Sequence, residues 1–294
     1  MDADSLPQID DAWAAAWGWR VGRSQYARLF VKASPSGVLN ARRELDEFAD
    51  SDSRSELTLR LVALPVALML GMLFASSGLG HALQRIFFGM ILHELGHAVS
   101  AWLLGFPAFP LLWFTPVAEH RSGLLSLMLL AAGVGLIVAG RRTDRTVWVL
   151  GGGALSALVI LGLMVRERQA RALITFGGDA GALVIGTLFM TALFAGPESP
   201  LRKGGLRWGL LVIGAAAFSD VAWTWYRARR DFAEIPFGQI EGVGLSDPSV
   251  LVQTHGWSEP GLVRAYLAVV VACGLVLAGL WVWRAAWPWW ARRS

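Results

Sequence analysis

Apolar runs of about twenty positions, nearly free of charge, alternate along this chain with short polar stretches. They fall at roughly 61–79, 84–106, 123–140, 146–165, 172–195, 205–226 and 262–284. As helices, runs of that length cross a hydrocarbon layer of about 30 Å. The pattern therefore predicts an all-α polytopic membrane protein, a bundle of about six or seven transmembrane helices. One apolar stretch breaks the rule. "GFPAFPLLWFTPVAEH", 105–120, is too short to span and contains Pro107, Pro110 and Pro116. Its helix should stop near Gly105, and the stretch should re-enter the membrane or form a short extended hairpin beside the preceding helix.

The polar remainder divides the chain further. Residues 1–56 form a polar N-terminal region, in which Trp13 and Trp17 share one helical face ahead of Arg20, Arg23 and Arg28. A short interfacial helix fits that pattern, and so does a soluble helix packed on the membrane part. Residues 57–226 form the membrane-embedded core. Residues 227–261, with Pro236, Pro248, Pro260 and many glycines, read as one extramembrane loop, and 262–294 as a last span with a Trp-rich interfacial end.

Composition agrees with a bilayer environment. Of 294 residues, 55% are hydrophobic and 16% charged, against about 25% charged in soluble domains. Trp223, Trp225, Trp281, Trp283, Trp287, Trp289 and Trp290 cluster near span ends, where an aromatic belt lies. The formal charge of +4 is spread over short basic clusters between apolar runs, among them Arg141, Arg142 and Arg145, and Arg227, Arg229 and Arg230. That is the habit of a membrane protein and gives no sign of nucleic acid. The single cysteine, Cys273, excludes an internal disulfide. The opening "MDADSLPQIDD" is acidic and precedes no apolar core, so no cleaved signal peptide is expected. The basic residues that follow predict a cytoplasmic N-terminus, and the expected location is the plasma (inner) membrane of a prokaryote.

Against this background "FFGMILHELGHAVSAWLLGF", 87–106, stands out, because His93, Glu94 and His97 are ionisable groups at lipid depth. Such groups cost a few kcal/mol each unless they are partnered. His93 and His97, four apart, lie about 40° apart on one helical face, a spacing that lets two imidazoles hold one Zn²⁺. Glu94, beside them, can take a proton from a metal-activated water and return it to a leaving amine. Zinc also wants a third protein ligand and an open position. Two aspartates fall inside predicted spans, Asp179 and Asp220. Asp179 shares a stripe with Thr175, Ala182 and Gly186, which matches Gly89, His93, Gly96 and Ser100 on the motif helix. Small residues allow the close approach that a short aspartate needs. Asp220 lies nearer a span end, between Phe218 and Trp223, and is the weaker candidate. His81, Glu119, His120 and His255 read as interfacial or loop residues. "LGGGA", 150–154, lacks the Gly-Lys-Ser/Thr ending of a phosphate loop and reads as helix packing.

"HELGHAVSAWLLGFP" on one membrane helix and "GGDAG" on a later one resemble the site-2 protease family of intramembrane zinc metalloproteases. The resemblance covers about residues 84–195 and implies one Zn²⁺ per chain held by His93, His97 and Asp179, with Glu94 as the catalytic residue. It also implies a membrane-protein or membrane-associated peptide as substrate, held by the extended stretch after the motif helix. The chain departs from the family in having Ala180 rather than glycine after the aspartate. It also has two predicted spans, rather than one, between motif helix and aspartate helix. The expected function is thus peptide-bond hydrolysis in or near the bilayer by a Glu-activated, zinc-bound water. Two alternatives stand beside it: a catalytically silent protease-like scaffold, and a metal or proton transporter.

Overall fold

The computed structural model describes residues 35–196, 199–240 and 244–291. The proposed interfacial helix around Trp13 and Trp17 lies outside the described residues. Contacts divide the chain into two units, Met1–Glu56 and Leu57–Ser294, and every residue of the site discussed below belongs to the second.

The protein is an all-α polytopic bundle. The first described helix, α1, runs Pro35–Ala75, and its Arg54–Ala75 part is long and apolar enough to cross a membrane. Six further helices meet the same test: α2 (Gly78–Leu103), α3 (Gly123–Arg142), α4 (Thr146–Met164), α5 (Glu167–Thr191), α6 (Leu206–Arg230) and the helix beginning at Glu259. The expected spans are thus present, their ends shifted by a few residues. Ser77 caps α2 and Ser122 caps α3, each side chain accepting a backbone N–H of the first turn.

Burial identifies the core. In α5 and α6, 56% and 61% of the spanning window is buried, against 17% in both α3 and α4. The outer faces of α3 and α4 carry Leu124, Leu127, Val147 and Leu150, all exposed as lipid contact requires. These two helices pack on each other where Gly133 meets Gly152 and Ser156. The inner group is α2, α5 and α6; the last span packs on α5 and α6 but, at 17% buried, is as open as α3 and α4.

The proline-rich stretch after α2 is an extended hairpin. Gly105 takes the left-handed conformation, φ 86°, that ends the helix. The chain then pairs with itself at Ala108 and Val117, with bonds from Phe109 N to Pro116 O (3.2 Å) and from Ala118 N to Pro107 O (2.8 Å). The Trp102 indole donates to the Ala108 carbonyl and ties the hairpin to α2. Ser122 N donates to Gly105 O at 2.8 Å, so α3 begins where α2 ended.

The segment from Asp231 to Ser258 has more structure than a plain loop. It carries a two-residue antiparallel ribbon, β1 (Gln239–Ile240) with β2 (Gly244–Leu245), and a short helix α7 (Asp247–Gln253). Ser258 caps the last helix, α8 (Glu259–Trp281), which continues through a π turn at Val282–Ala286 to Ala291. Its start uses Pro260 as a first-turn residue, a few positions before the expected boundary. If each span crosses once, the hairpin, the α4–α5 connection and the α7 segment all emerge on one face.

Candidate metal centre

The site is built where α2 and α5 come closest. A Cβ on Gly96 would sit 2.7 Å from the Gly178 carbonyl oxygen and closer still to that of Gly177. Gly96 faces Gly181 while Ser100 faces Gly177, so the helices run antiparallel. Only residues without side chains permit this spacing. The glycine face of α5 therefore meets α2, and the imidazoles of His93 and His97 lie directly over Gly178.

α2 is not a regular helix here. A π turn covers Arg85–Gly89, closed by Met90 N donating to Arg85 O. Eight residues of ideal helix would rotate Arg85 about 80° from His93; one extra residue in the turn brings them to within about 20°. Both accordingly reach the same atom of α5. His93 Nδ1 lies 2.8 Å from Asp179 Oδ1, and Arg85 donates to that oxygen at 3.1 Å. The other oxygen, Asp179 Oδ2, accepts the Trp225 indole N–H at 2.9 Å. Trp225 is fully buried and stacks on Tyr266, which stacks in turn on Phe176.

Asp179 therefore does not stand where the sequence placed it. It meets the histidine pair on the Nδ1 side of His93, while the opposite nitrogen, Nε2, faces away toward His97 and Asp247. The reason is the closeness of the two backbones. A short carboxylate on α5 meets the ring nitrogen nearest α2, and two further donors fix it there.

The third member of the group comes from outside the spans. Asp247 Oδ2, at the start of α7, is 3.0 Å from His93 Nε2 and 3.0 Å from His97 Nε2, and the two Nε2 atoms are 3.1 Å apart. His93, His97 and Asp247 form a group that could hold a metal ion. A tetrahedral zinc with ligands at about 2.0–2.1 Å separates its donors by roughly 3.3 Å, so the triangle would need to widen by only a few tenths of an ångström.

Hydrogen bonding shows why these atoms call for a cation. His97 Nδ1 faces the Ile174 carbonyl at 2.8 Å, which only accepts, so the ring's proton is on Nδ1. His93 Nδ1 likewise donates to the Asp179 carboxylate. Both Nε2 atoms of the neutral rings thus present lone pairs to each other and to a carboxylate oxygen. Three lone pairs at such distances repel unless a positive charge lies among them. A proton on the facing imidazoles is one such charge: burial would raise the Asp247 carboxyl, but hydrogen bonds and positive charge from protonated His93 and His97 outweigh it and hold the group well below the usual carboxylate range, and a metal ion would take the place of that proton.

The charges of the connected cluster point the same way. Asp220 is buried, with Oδ2 3.3 Å from Arg85 and Oδ1 2.9 Å from His81. Asp179 and Asp220 share the guanidinium of Arg85, while Asp247 faces His93 and His97, so the three carboxylates exceed that one guanidinium by two negative charges, which a dication or protonated imidazoles would offset. Asp220 is thereby placed as Arg85's partner and not as a ligand of this group.

Glu94 is buried and is not a member of this group. Thr115 of the hairpin donates to its Oε2 at 2.7 Å and is also 2.9 Å from the Glu94 backbone carbonyl. Glu119 and His120 are exposed, and His255 lies beyond α7 in the extramembrane segment. The residue that sequence reasoning missed is Asp247, because third ligands were sought only among acids inside spans. The available signal was "LSDPS", an Asp-Pro helix start within a segment otherwise without structure. None of the family models, curated proteins or solved structures compared with this chain matches it.

Proposed function

We propose that the protein is an intramembrane zinc peptidase that hydrolyses peptide bonds of membrane-associated substrates. The observation that carries this reading is the convergence of His93 Nε2, His97 Nε2 and Asp247 Oδ2 within 3.1 Å of one another, with both Nδ1 atoms already committed. The likeness to the site-2 protease family supports it through His93, Glu94 and His97, with Asp247 rather than Asp179 as third ligand. Asp179 then orients His93 and raises its basicity, as carboxylates behind ligating histidines do.

A dication bound by these three donors supplies electrophilic activation of water and of the scissile carbonyl. The chain's own groups do the rest. Glu94 accepts a proton as the water oxygen bonds to the carbonyl carbon, then delivers it to the amide nitrogen as the C–N bond breaks. The hairpin at 105–122 offers an extended edge beside Glu94, and an extended substrate is what hydrolysis needs, since helical amides are shielded. Its bonds use backbone groups of Pro107, Phe109, Pro116 and Ala118, which leaves those of Val117 on the outer edge. Substrates with helix-weakening residues fit best.

A transport reading draws on the polar chain His97, Asp247, His93, Asp179, Arg85, Asp220 and His81. Arg85 interrupts it as a proton path, because a guanidinium does not give up its proton. A silent scaffold would have no use for a buried glutamate held by its own hydroxyl donor. The deciding experiment is zinc analysis and cleavage of a single-span peptide in detergent, with wild type beside Glu94→Gln. About one zinc per chain in both, with cleavage only in wild type, is expected; cleavage by Glu94→Gln sinks the peptidase reading.

A further inference from the structure

Among the described residues, the Thr115 hydroxyl is the one group in hydrogen-bond contact with the Glu94 carboxylate, and it comes from the hairpin rather than from the helix bundle. Its geometry is double. One Oγ1 lies 2.7 Å from Oε2 and 2.9 Å from the backbone oxygen of the same residue. A hydroxyl has one hydrogen to donate and lone pairs with which to accept. That hydrogen goes to the carboxylate, and the backbone oxygen of the same residue lies within reach of the same hydroxyl, so one side chain of the hairpin holds the Glu94 carboxylate against its own helix.

We infer that Thr115 is the positioning residue of the general base, a hydroxyl on the hairpin that fixes the orientation of the Glu94 carboxylate. The inference rests on the peptidase reading above. Among the described residues, Thr115 makes no hydrogen bond to the candidate metal ligands or to Asp179. It stands two residues before Val117, on the strand whose outer edge would hold substrate. The hairpin thereby joins two tasks in one element: a substrate strand laid along it is aligned with the residue that fixes the base.

The test compares zinc-loaded wild type, Glu94→Gln, Thr115→Ser and Thr115→Val on a fluorogenic single-span peptide carrying an Asn-Gly pair. Zinc content and initial rates are measured for each protein. Thr115→Ser should retain kcat within about threefold, because the hydroxyl is kept. Thr115→Val, of matching shape, should lose about ten- to a hundredfold in kcat with KM unchanged and zinc retained. A Thr115→Val enzyme as fast as wild type overturns the inference, as does one whose loss tracks lost zinc or is not rescued by serine. Failure of the parent reading looks different: wild type cleaves nothing, or Glu94→Gln cleaves as well as wild type.

Discussion

Replacing Asp247 by alanine is the most direct probe of the metal centre, because it separates a ligand from an orienting carboxylate. Zinc held by a full protein site is worth roughly 10–16 kcal/mol, or about 3–4 kcal/mol for each of four donors. Loss of Asp247 Oδ2, 3.0 Å from both Nε2 atoms, should therefore weaken zinc binding by about 10²–10³-fold. Asp179→Asn keeps all three donors and removes only the charge behind His93 Nδ1. A change of that kind costs about 10–100-fold. Competition with a chromophoric chelator in detergent measures both constants on one scale. The expected order is wild type tightest, then Asp179→Asn, then Asp247→Ala. An Asp247→Ala protein that binds zinc as tightly as wild type, or more tightly than Asp179→Asn, would refute the assignment and return Asp179 to the ligand set.

Further outcomes follow from the same contacts. Gly178→Ala places a Cβ 2.6 Å from His93 Cε1 and from His97 Nε2, so it should lower zinc occupancy while leaving every ligand in place. Gly151→Ala, where nothing lies within 4 Å, serves as the matched control and should behave as wild type. Arg85→Met leaves Asp179 and Asp220 without their shared cation; unfolding monitored by heat or denaturant should show a loss of about 3–5 kcal/mol, and an unchanged midpoint would contradict the buried network. Removing metal with a chelator should loosen α7 first, since Asp247 joins it to α2, and proteolysis within 231–258 should then speed up relative to the zinc-loaded protein.

The seven spans were readable because membrane crossing is a local property. About twenty consecutive apolar residues decide it, whatever packs beside them. The end of α2 at Gly105 and the extended hairpin were likewise readable, because left-handed glycine and closely spaced prolines act within a few residues. His93, Glu94 and His97 could be read as a set for the same reason: one helix fixes their spacing. The stripe of Thr175, Asp179, Ala182 and Gly186 does bring Asp179 to His93, but the closest packing on α2 uses a different face of α5, that of Gly177, Gly178 and Gly181.

What the sequence by itself determined, then, is everything set within one helical segment: the crossings, their breaks and the paired imidazoles. Only the tertiary structure decided which acid faces which nitrogen. Asp179 reaches His93 Nδ1 because glycine contacts bring two backbones together, and Asp247 reaches both Nε2 atoms from 150 residues along the chain after His97. No local pattern encodes that meeting. It depends on where α7 is set down against the bundle, and that is a property of the folded whole.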